Sequence, residues 1–436
     1  MTGPAYPTIV ALSSGSGRAG VAVVRVSGEG VRFALETIVG AVPEPRKARY
    51  AALRDGTGEI IDHGLVLFFP GPASFTGEDV AEFQVHGSRA VLARLIATLT
   101  ALPGLRLAEP GEFTRRAFEA GKLDLAAVEG LADLIDSETE WQRRQALRQM
   151  EGALGVAAAG WRATLIRAMT LLEAEIDFSD EGDVAGPLVA EAVALAGSAL
   201  PSLRAALGSF AAGERVREGF IVVLAGSPNA GKSSLLNALA RRDVAIVSPI
   251  AGTTRDAIEV RLDLAGIPVL LVDTAGLRES GDAIEAEGVR RALKRAEDAD
   301  LILQLRAVDA PVEASLRADG LVRVATKIDL SQAALPCELG VSVVTGEGIE
   351  ALLRWLSDRL RGIANPEPAL LTRERQRLAV TAAVDAILRA AMIGPEQPEL
   401  IAEELRLAVR ALERLIGRVD VEDVLDSLFA GFCIGK

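Results

Sequence analysis

The chain has 436 residues, of which 50% are hydrophobic and 25% are charged, and its formal net charge is −13 at pH 7. This length and balance indicate a globular protein of two or three domains and exclude a disordered chain. The negative charge argues against a broad, nonspecific nucleic-acid coat but leaves room for a local RNA site.

The compartment is also indicated by composition. Two cysteines in this length cannot form a disulfide framework, which fits a reducing cytosol. The N-terminus lacks the basic and apolar regions of a signal peptide, and no apolar run reaches the roughly 18 residues of a membrane span. We therefore expect a soluble, cytoplasmic protein with no membrane partner.

Residues 1–120 predict a small α+β domain. Strand-like runs at Thr8–Leu12, Val21–Val26 and His63–Phe69 are followed by a helix-like run at Ala90–Ala101. The segment Gly15–Gly20 matches G-x-G-x-x-G, a dinucleotide-binding pattern, but a strand follows it instead of the required helix. We interpret it as a glycine-rich hairpin connection.

Two later stretches, Ser74–Gly87 and Glu109–Leu125, are more polar than core segments. Taken alone, each predicts a loop with capping carboxylates and a solvated helix start. His86 is one of only two histidines, and neither has a metal-ligand spacing. We assign both histidines to structure.

Helical patterns occupy most of the remaining chain outside residues 219–365. They are rich in Ala, Leu, Glu and Arg, with apolar residues at helical spacing. The predicted helical stretches are Leu123–Phe178, about Leu188–Gly208, Leu370–Ile393 and Leu400–Leu428. The simplest organisation is an all-α domain, 121–218 plus 366–436, with a Ras-like α/β domain, 219–365, inserted into it.

The stretch that begins at Phe220 predicts a phosphate-binding loop. A β-branched apolar run precedes Gly226–Ser233, which matches G-x-x-x-x-G-K-S, and a helix-forming segment follows. The glycines let backbone N–H groups turn toward phosphate oxygens, and the helix N-terminus adds a favourable dipole. Lys232 would reach the β- and γ-phosphates, and Ser233 would ligate magnesium.

Two segments downstream suit the γ-phosphate end of a nucleotide. A threonine in Val247–Asp256 can ligate magnesium and sense the γ-phosphate, as switch loops do. A buried strand in Pro268–Gly276 delivers Asp273 to the magnesium shell, and Gly276 can offer its backbone N–H to the γ-phosphate.

The base is predicted to be guanine. Asp329, in Thr326-Lys-Ile-Asp, can accept both hydrogen bonds from the amide and amine edge of guanine, which adenine cannot supply. Val341–Gly348 supplies a base-contacting loop. All these motifs in this order predict a GTPase. The predicted nucleotide-binding residues are Asn229, Ala230, Gly231, Lys232, Ser233, Ser234, Ser248, Thr253, Thr254, Asp273, Thr274, Ala275, Gly276, Thr326, Lys327, Asp329 and Ser342.

The residue that directs hydrolysis is less defined. Leu277 stands where Ras-type enzymes have a water-orienting glutamine, and leucine cannot position water. Glu285 is a candidate general base or water-orienting residue. Other candidates for this role are Glu279, Asp282 and Glu287. The alternative is that these acidic residues form a solvated loop with no catalytic role. The sequence assigns no arginine finger.

Across essentially the whole chain, these residues resemble the MnmE (TrmE) family of tRNA-modification GTPases. The N-terminal stretches and the C-terminal tail are more specific to that family than the GTPase motifs are. The matching stretches are Ser74–Asp79, Pro110–Phe113, Arg116–Phe118, Lys122–Leu125, Leu131–Ser137, Gly226–Asn237, Ile250–Asp256, Asp273–Arg278 and Cys433–Lys436.

The resemblance implies a GTPase that works with a flavin-dependent partner, MnmG, on the wobble uridine of certain tRNAs. Together they would install an aminomethyl or carboxymethylaminomethyl group. The one-carbon unit would come from a 5-formyl- or methylene-tetrahydrofolate bound in the N-terminal domain, which also mediates homodimerisation. The implied folate contacts are Arg25, Glu82, Lys122 and Lys436, and Cys433 would lie in a tail near the modification site with an undefined chemical role.

The resemblance also implies a potassium ion in place of an arginine finger, which helps two GTPase domains dimerise. An asparagine at Asn229 is a hard oxygen ligand close to the phosphates, so the assignment makes chemical sense. The catalytic glutamate of the family falls on Glu285, and magnesium would be held by Ser233 and Thr254. The implied potassium ligands are Asn229, Ser248, Ile250 and Thr253.

Two departures from the family pattern concern the base. Thr326 replaces the usual asparagine of Asn-Lys-x-Asp, and Ser342-Val-Val replaces the usual Ser-Ala-x. We expect the loss of the asparagine amide at position 326 to weaken the affinity for guanine, while Asp329 keeps the specificity for this base.

Two rival functions are a potassium-dependent ribosome-assembly GTPase that binds RNA without modifying it, and a folate-binding scaffold with a decayed GTPase. The first needs neither Arg25, Glu82 nor Lys436. Intact Lys232, Asp273 and Glu285 argue against the second.

Overall fold

The computed structural model describes residues 7–15, 17–177, 187–227, 229–242, 244–246, 259–273, 299–309, 320–331, 337–363, 369–419, 422–432 and 435. They belong to two compact units. The first unit comprises Met1–Ala132, Gly155–Ala159 and Leu412–Lys436, and the second comprises Asp133–Leu154 and Gly160–Ala411.

Strands and helices both occur in each unit. The strands are β1 (Thr8–Leu12), β2 (Ala19–Ser27), β3 (Arg49–Arg54), β4 (Ile60–Phe69), β5 (Val80–Gly87), β6 (Leu105–Leu107), β7 (Phe220–Ala225), β8 (Glu259–Leu264), β9 (Ile267–Asp273), β10 (Leu301–Ala307), β11 (Leu321–Thr326) and β12 (Leu339–Val341). The helices are α1 (Val31–Val39), α2 (Arg89–Thr100), α3 (Glu112–Glu119), α4 (Leu125–Ile135), α5 (Glu140–Met150), α6 (Ala153–Asp177), α7 (Pro187–Gly197), α8 (Leu200–Glu218), α9 (Lys232–Ala240), α10 (Ile349–Ile363), α11 (Glu374–Met392), α12 (Pro398–Leu415) and α13 (Glu422–Ala430).

The first unit is built on a six-stranded sheet in the order β3-β4-β5-β2-β1-β6, antiparallel except for the β1–β6 pair. Val24, Val26 and Phe83 alternate onto the buried face, where they share a core with Leu35 of α1 and Leu99 of α2. Because β1 and β2 pair antiparallel, the predicted glycine-rich hairpin connection is confirmed.

The second unit contains a six-stranded sheet in the order β12-β11-β10-β7-β9-β8. Its neighbouring strands are parallel except for β8 and β9. Leu235 of α9 and Leu356 of α10 are buried in one core with Leu271 of β9. The carboxyl ends of β7, β9 and β11 lie at one edge of this sheet, the edge at which open α/β sheets bind ligands.

Three glutamines on one face of α5 join it to neighbouring segments of the second unit. Gln142 donates from Nε2 to the carbonyl of Arg217 at 3.1 Å, and Gln145 donates to the carbonyl of Gly213 at 2.8 Å. Gln149 donates to the carbonyl of Leu370 at 2.6 Å. Since buried amides need partners, these bonds hold α8 and residues 369–370 against α5.

The first residues of α5 also lie against the turn between β8 and β9. Thr139 and Gln142 form a capping box at the helix N-terminus. The backbone N–H of Trp141 donates to the carbonyl of Gly266 at 3.1 Å. Ala265 and Gly266 have φ values of 54° and 89°, as the central residues of a two-residue hairpin turn require.

The predicted fold class is confirmed: an α+β N-terminal part, a helical part and an α/β phosphate-loop part are all present. Two helix predictions are wrong. The expected helix from about Leu188 to Gly208 is two helices, and Pro201 lies in the first turn of the second, where proline is tolerated. The expected Leu400–Leu428 helix ends at Leu415, just before Gly417 adopts a φ of 82°.

The predicted domain boundaries remain a prediction, because the helices of residues 133–154, 160–218 and 369–411 share one unit with the α/β sheet. Within Leu188–Glu218, which contains most of α7 and all of α8, an 18-residue window with a mean hydropathy of 1.3 has the length and composition of a membrane span. The expectation that no run is long enough is therefore wrong there. Length and composition are a weak indication, because core helices of soluble proteins meet the same criteria.

Candidate functional site

The phosphate-binding loop has the predicted order of strand, glycine loop and helix. It connects β7 to α9, and Gly231, with a φ of 88°, is the N-cap of that helix. At Gly226, with a φ of 144°, an ideal Cβ would lie only 2.5 Å from the carbonyl oxygen of Leu305. Only glycine fits this close approach of two backbones.

Lys232 lies inside the loop and not in solvent. Its residue is 7% exposed, and Nζ donates to the carbonyls of Gly226 at 2.7 Å and Ser227 at 2.9 Å. An ammonium group beside a helix N-terminus gives this loop the charge and dipole that a polyphosphate needs.

Ser233 and Asp273, the predicted magnesium groups, are brought together. The Ser233 hydroxyl donates to Asp273 Oδ2 at 2.6 Å, and Asp273 is 2% exposed at the end of β9. A hydroxyl and a carboxylate in contact beside a phosphate loop are the oxygen donors that Mg²⁺ accepts, so the residues fit the ion.

The base-recognition residues also converge. The hydroxyl of Ser342, which is completely buried, donates to Asp329 Oδ1 at 2.5 Å and so orients that carboxylate. Lys327 Nζ pairs with Asp309 at 2.9 Å. Thr326, at the end of β11, donates from Oγ1 to the carbonyl of Ala230 in the phosphate loop at 2.7 Å.

Several predicted site residues lie outside the described residues. Of the four predicted potassium ligands, Asn229 is described; its φ is 68° in the left-handed region. Ser234 lies in the first turn of α9. The site residues outside the described ranges are Ser248, Ile250, Thr253, Thr254, Thr274, Ala275, Gly276, Glu285, Cys433 and Lys436.

In the first unit, two predicted folate contacts form an ion pair. Arg25 of β2 and Glu82 of β5 are opposite each other in the sheet, and Arg25 Nη2 lies 2.9 Å from Glu82 Oε1. The guanidinium also lies 5.8 Å from the ring centroids of Phe75 and Phe113. Lys122 Nζ donates to the carbonyl of Pro72 at 2.5 Å, at the loop that carries Phe75.

Near this pair, an ion cluster that the sequence did not predict is centred on the buried side chains of Arg116 and Glu112. Arg116, 5% exposed, donates to Glu78 at 3.0 Å and to Glu112 at 2.8 Å. Arg106 donates to Glu112 at 2.6 Å, and Ser27 donates to Glu78 at 2.6 Å. The sequence signal was present in the two polar stretches, but Glu78 is joined to Arg116 and Ser27, which lie 38 and 51 positions away in the chain.

The electrostatics of Glu112 follow from these contacts. Burial opposes its charged form, but hydrogen bonds from Arg106, from the backbone N–H of Glu109 and from Arg116 outweigh burial and lower its pKa. Glu112 is therefore a carboxylate that holds α3, and not a proton donor at neutral pH.

A separate cavity of about 560 Å³ lies in the first unit, with Arg18, His86, Ser88 and Arg89 among its lining residues. Of the predicted site residues that the structure describes, none lines it. The polar atoms that suit a nucleotide are instead at the carboxyl edge of the second unit's sheet.

The sheet topology, the phosphate loop and the strand-end aspartates define a P-loop GTPase. Residues 8–122 match the family model described as the GTP-binding protein TrmE N-terminus, and residues 125–433 match the MnmE helical domain. The chain belongs to the MnmE (TrmE) family of tRNA modification GTPases.

Relatives agree over almost the full length. The tRNA modification GTPase MnmE of Azorhizobium caulinodans is 55% identical over 431 residues, which are 98% of this chain and 99% of the relative. The protein of the same name from Methylobacterium sp. is 53% identical over 438 residues, 98% of this chain and 99% of the relative. The G domain of the FeoB iron transporter of T. maritima is 26% identical and covers 33% of this chain and 99% of that chain, but its TM-score of 0.23 adds nothing to the assignment.

Proposed function

We propose that this chain is a potassium-dependent GTP hydrolase of tRNA wobble-uridine modification. With the FAD-dependent MnmG protein it adds an aminomethyl or carboxymethylaminomethyl group, using a tetrahydrofolate one-carbon unit. The support is family membership together with one observation: Lys232, Ser233 and Asp273 converge at the phosphate loop.

The described side chains have defined parts in GTP binding. Lys232 exchanges the carbonyls of its own loop for phosphate oxygens when nucleotide binds. Ser233 and Asp273, with Thr254, hold Mg²⁺, which when bound neutralises charge on the β- and γ-phosphates. Asp329, oriented by Ser342, accepts the N–H groups of guanine.

The remaining assignments complete the proposal. Glu285 orients the attacking water, and Asn229, Ser248, Ile250 and Thr253 bind potassium. We assign residues 1–120 to folate binding and homodimerisation, 121–218 plus 366–436 to the helical domain, and 219–365 to the GTPase domain. The protein acts in the cytoplasm.

The folate proposal rests on Arg25, Glu82, Lys122 and Lys436. A flat ring with donors and acceptors suits a surface where Phe75, 38% exposed, lies beside the Arg25–Glu82 pair. Lys122 adds a cation for a carboxylate tail. Cys433 remains a candidate residue near the modification site.

Turnover of GTP and ATP with Mg²⁺, in potassium and in sodium, tests the nucleotide part. We expect GTP to be preferred, potassium to be required for fast turnover, and Lys232→Ala to abolish nucleotide binding. Equal use of ATP would contradict the base assignment, and equal rates in sodium would contradict the potassium assignment.

Mass spectrometry of tRNA nucleosides from a deletion strain tests the modification part. Loss of the modified wobble uridine is expected. Unchanged wobble uridines would favour the ribosome-assembly GTPase, which needs neither Arg25 nor Glu82.

A further inference from the structure

Thr326 connects the strand that carries the base-recognition motif to the phosphate loop. It is the last residue of β11 and is 3% exposed. Its hydroxyl donates to the carbonyl of Ala230, itself 1% exposed, at 2.7 Å. An ideal Cβ at Gly231 would lie 3.7 Å from Thr326 Cβ and Oγ1, so the side chain also packs against the loop.

The backbone of Thr326 is a firm anchor for this bond. It lies opposite Ala307 of β10 and Val341 of β12 in the parallel ladder. Its carbonyl accepts a hydrogen bond from Val308 at 3.1 Å. The hydroxyl therefore links the phosphate loop to the carboxyl end of β11, a strand that is paired on both sides.

A hydroxyl has one hydrogen to donate, and here that hydrogen goes to Ala230. The atoms N7 and O6 of guanine are both acceptors. Thr326 therefore cannot donate to the base while it holds the loop. An asparagine amide, with two N–H groups, could do both.

The base-reading carboxylate has its own, separate support. Asp329 is held by the hydroxyl of Ser342, and Ser342 in turn accepts from the backbone N–H of Thr345 at 3.1 Å. This support does not pass through the Thr326 side chain.

We propose that Thr326 is a positioning residue for the phosphate loop, and that reading of the base is left to Asp329. The inference rests on the proposed GTP binding and deepens it. It predicts that removing the Thr326 hydroxyl weakens nucleotide binding through the contacts to the phosphates. The loss should be the same whether or not the base has a hydrogen-bond acceptor at position 7.

The test measures the Kd of GDP and of 7-deaza-GDP, which lacks the N7 acceptor. Each nucleotide displaces a fluorescent GDP from the full-length protein. Thr326→Val removes the hydroxyl at nearly constant shape and leaves the buried Ala230 carbonyl unpaired. We expect Kd to rise by about 10-fold for both nucleotides. Thr326→Ser keeps the hydroxyl and should restore affinity to within about twofold of the parent.

Two outcomes would overturn the inference. One is an unchanged Kd for GDP in Thr326→Val, and the other is a loss confined to GDP with 7-deaza-GDP unaffected. If the valine variant does not fold by circular dichroism, Thr326→Cys, which keeps a weak S–H donor, gives the same comparison with an expected loss of about threefold.

The substitution Asp329→Asn tests the claim that reading of the base is left to Asp329. The amide offers a donor where the carboxylate offered an acceptor, so preference should shift from GDP toward XDP, whose 2-oxo group accepts. A retained preference for GDP would contradict base reading by Asp329. Failure of the proposed function looks different, because the parent protein would then not prefer GDP over ADP.

Discussion

Charged residues on and near α3 in the first unit are connected by ion pairs and hydrogen bonds. Glu112 on α3 accepts from Arg106 and Arg116, and Arg116 also reaches the carbonyl of Pro7 at 2.8 Å. Because Glu112 and Arg116 are buried, removing either charge would leave the other without a compensating partner. The cluster thus determines how α3 and the loop at Glu78 are held.

Glu112→Gln tests this dependence. We expect a loss of about 2 kcal/mol in unfolding free energy at pH 7, since two arginines lose a charged acceptor. The folded-state pKa of Glu112 is below its ordinary value of 4.5. Its stabilising effect is therefore complete above that pH and is lost as the pH falls further.

The parent protein should accordingly lose stability more steeply than Glu112→Gln as the pH falls below about 4.5. Urea unfolding between pH 7 and pH 3 measures the difference. Glu109→Gln, at an exposed carboxylate three residues earlier, is the matched control and should change little. Parallel acid profiles for the parent and Glu112→Gln would contradict the assignment.

At the scale of elements, α5 and α8 show how close packing and polar bonds cooperate. Gly213 on α8 presents its carbonyl to Gln145 of α5. On its other side, an ideal Cβ would lie 2.4 Å from the carbonyl oxygen of Leu371 and 2.7 Å from Cβ of Ala369. The glycine lets a backbone segment lie directly on the helix.

Gly213→Ala should therefore destabilise the second unit by about 2 kcal/mol, because the added methyl group pushes residues 369–371 away from α8. Gly208→Ala is the matched control on the same helix, with open space at its Cβ position. It should be neutral or stabilising by up to about 1 kcal/mol from helix propensity. Thermal unfolding distinguishes them, and equal effects would show that the close approach is unimportant.

At the scale of the whole molecule, the helices and the nucleotide-binding sheet of the second unit contribute side chains to the same hydrophobic core. Val216 of α8 is buried in the same core as Phe220 and Leu271 of the sheet. Arg215 of α8 forms an ion pair with Asp300, just before β10. Residues on both sides of the predicted boundary at residue 219 therefore contribute to one core.

Local motifs explain what could be predicted from the sequence. The phosphate loop was predictable because Gly226, Gly231, Lys232 and Ser233 are neighbours in the chain and perform one task together. The tether from Thr326 to the loop was not, because it joins residues 96 positions apart. The spacing of apolar residues along the chain does not indicate a hydrogen-bond partner at that distance.

The buried polar groups of helices follow the same logic. Gln142 and Gln149 fit a helical pattern as ordinary polar residues, and the sequence does not indicate their partners. Their amides instead donate to the carbonyls of Arg217 of α8 and of residues 369–370. Tertiary contacts, which composition does not encode, determined their role.

The contact between Trp141 and the β8–β9 turn has an optical consequence. In the chain, the β8–β9 hairpin lies between Val247–Asp256 and Gly276, the two places predicted to sense the γ-phosphate. Trp141 is partly buried against the core of this sheet. Its indole emission should therefore differ between GDP and a non-hydrolysable GTP analogue.

Trp141→Phe should abolish that difference while Trp161 and Trp355 continue to emit, and a difference that persists would place the signal elsewhere. If it is abolished, one native fluorophore reports nucleotide state from within the helical part of the chain, with no label attached.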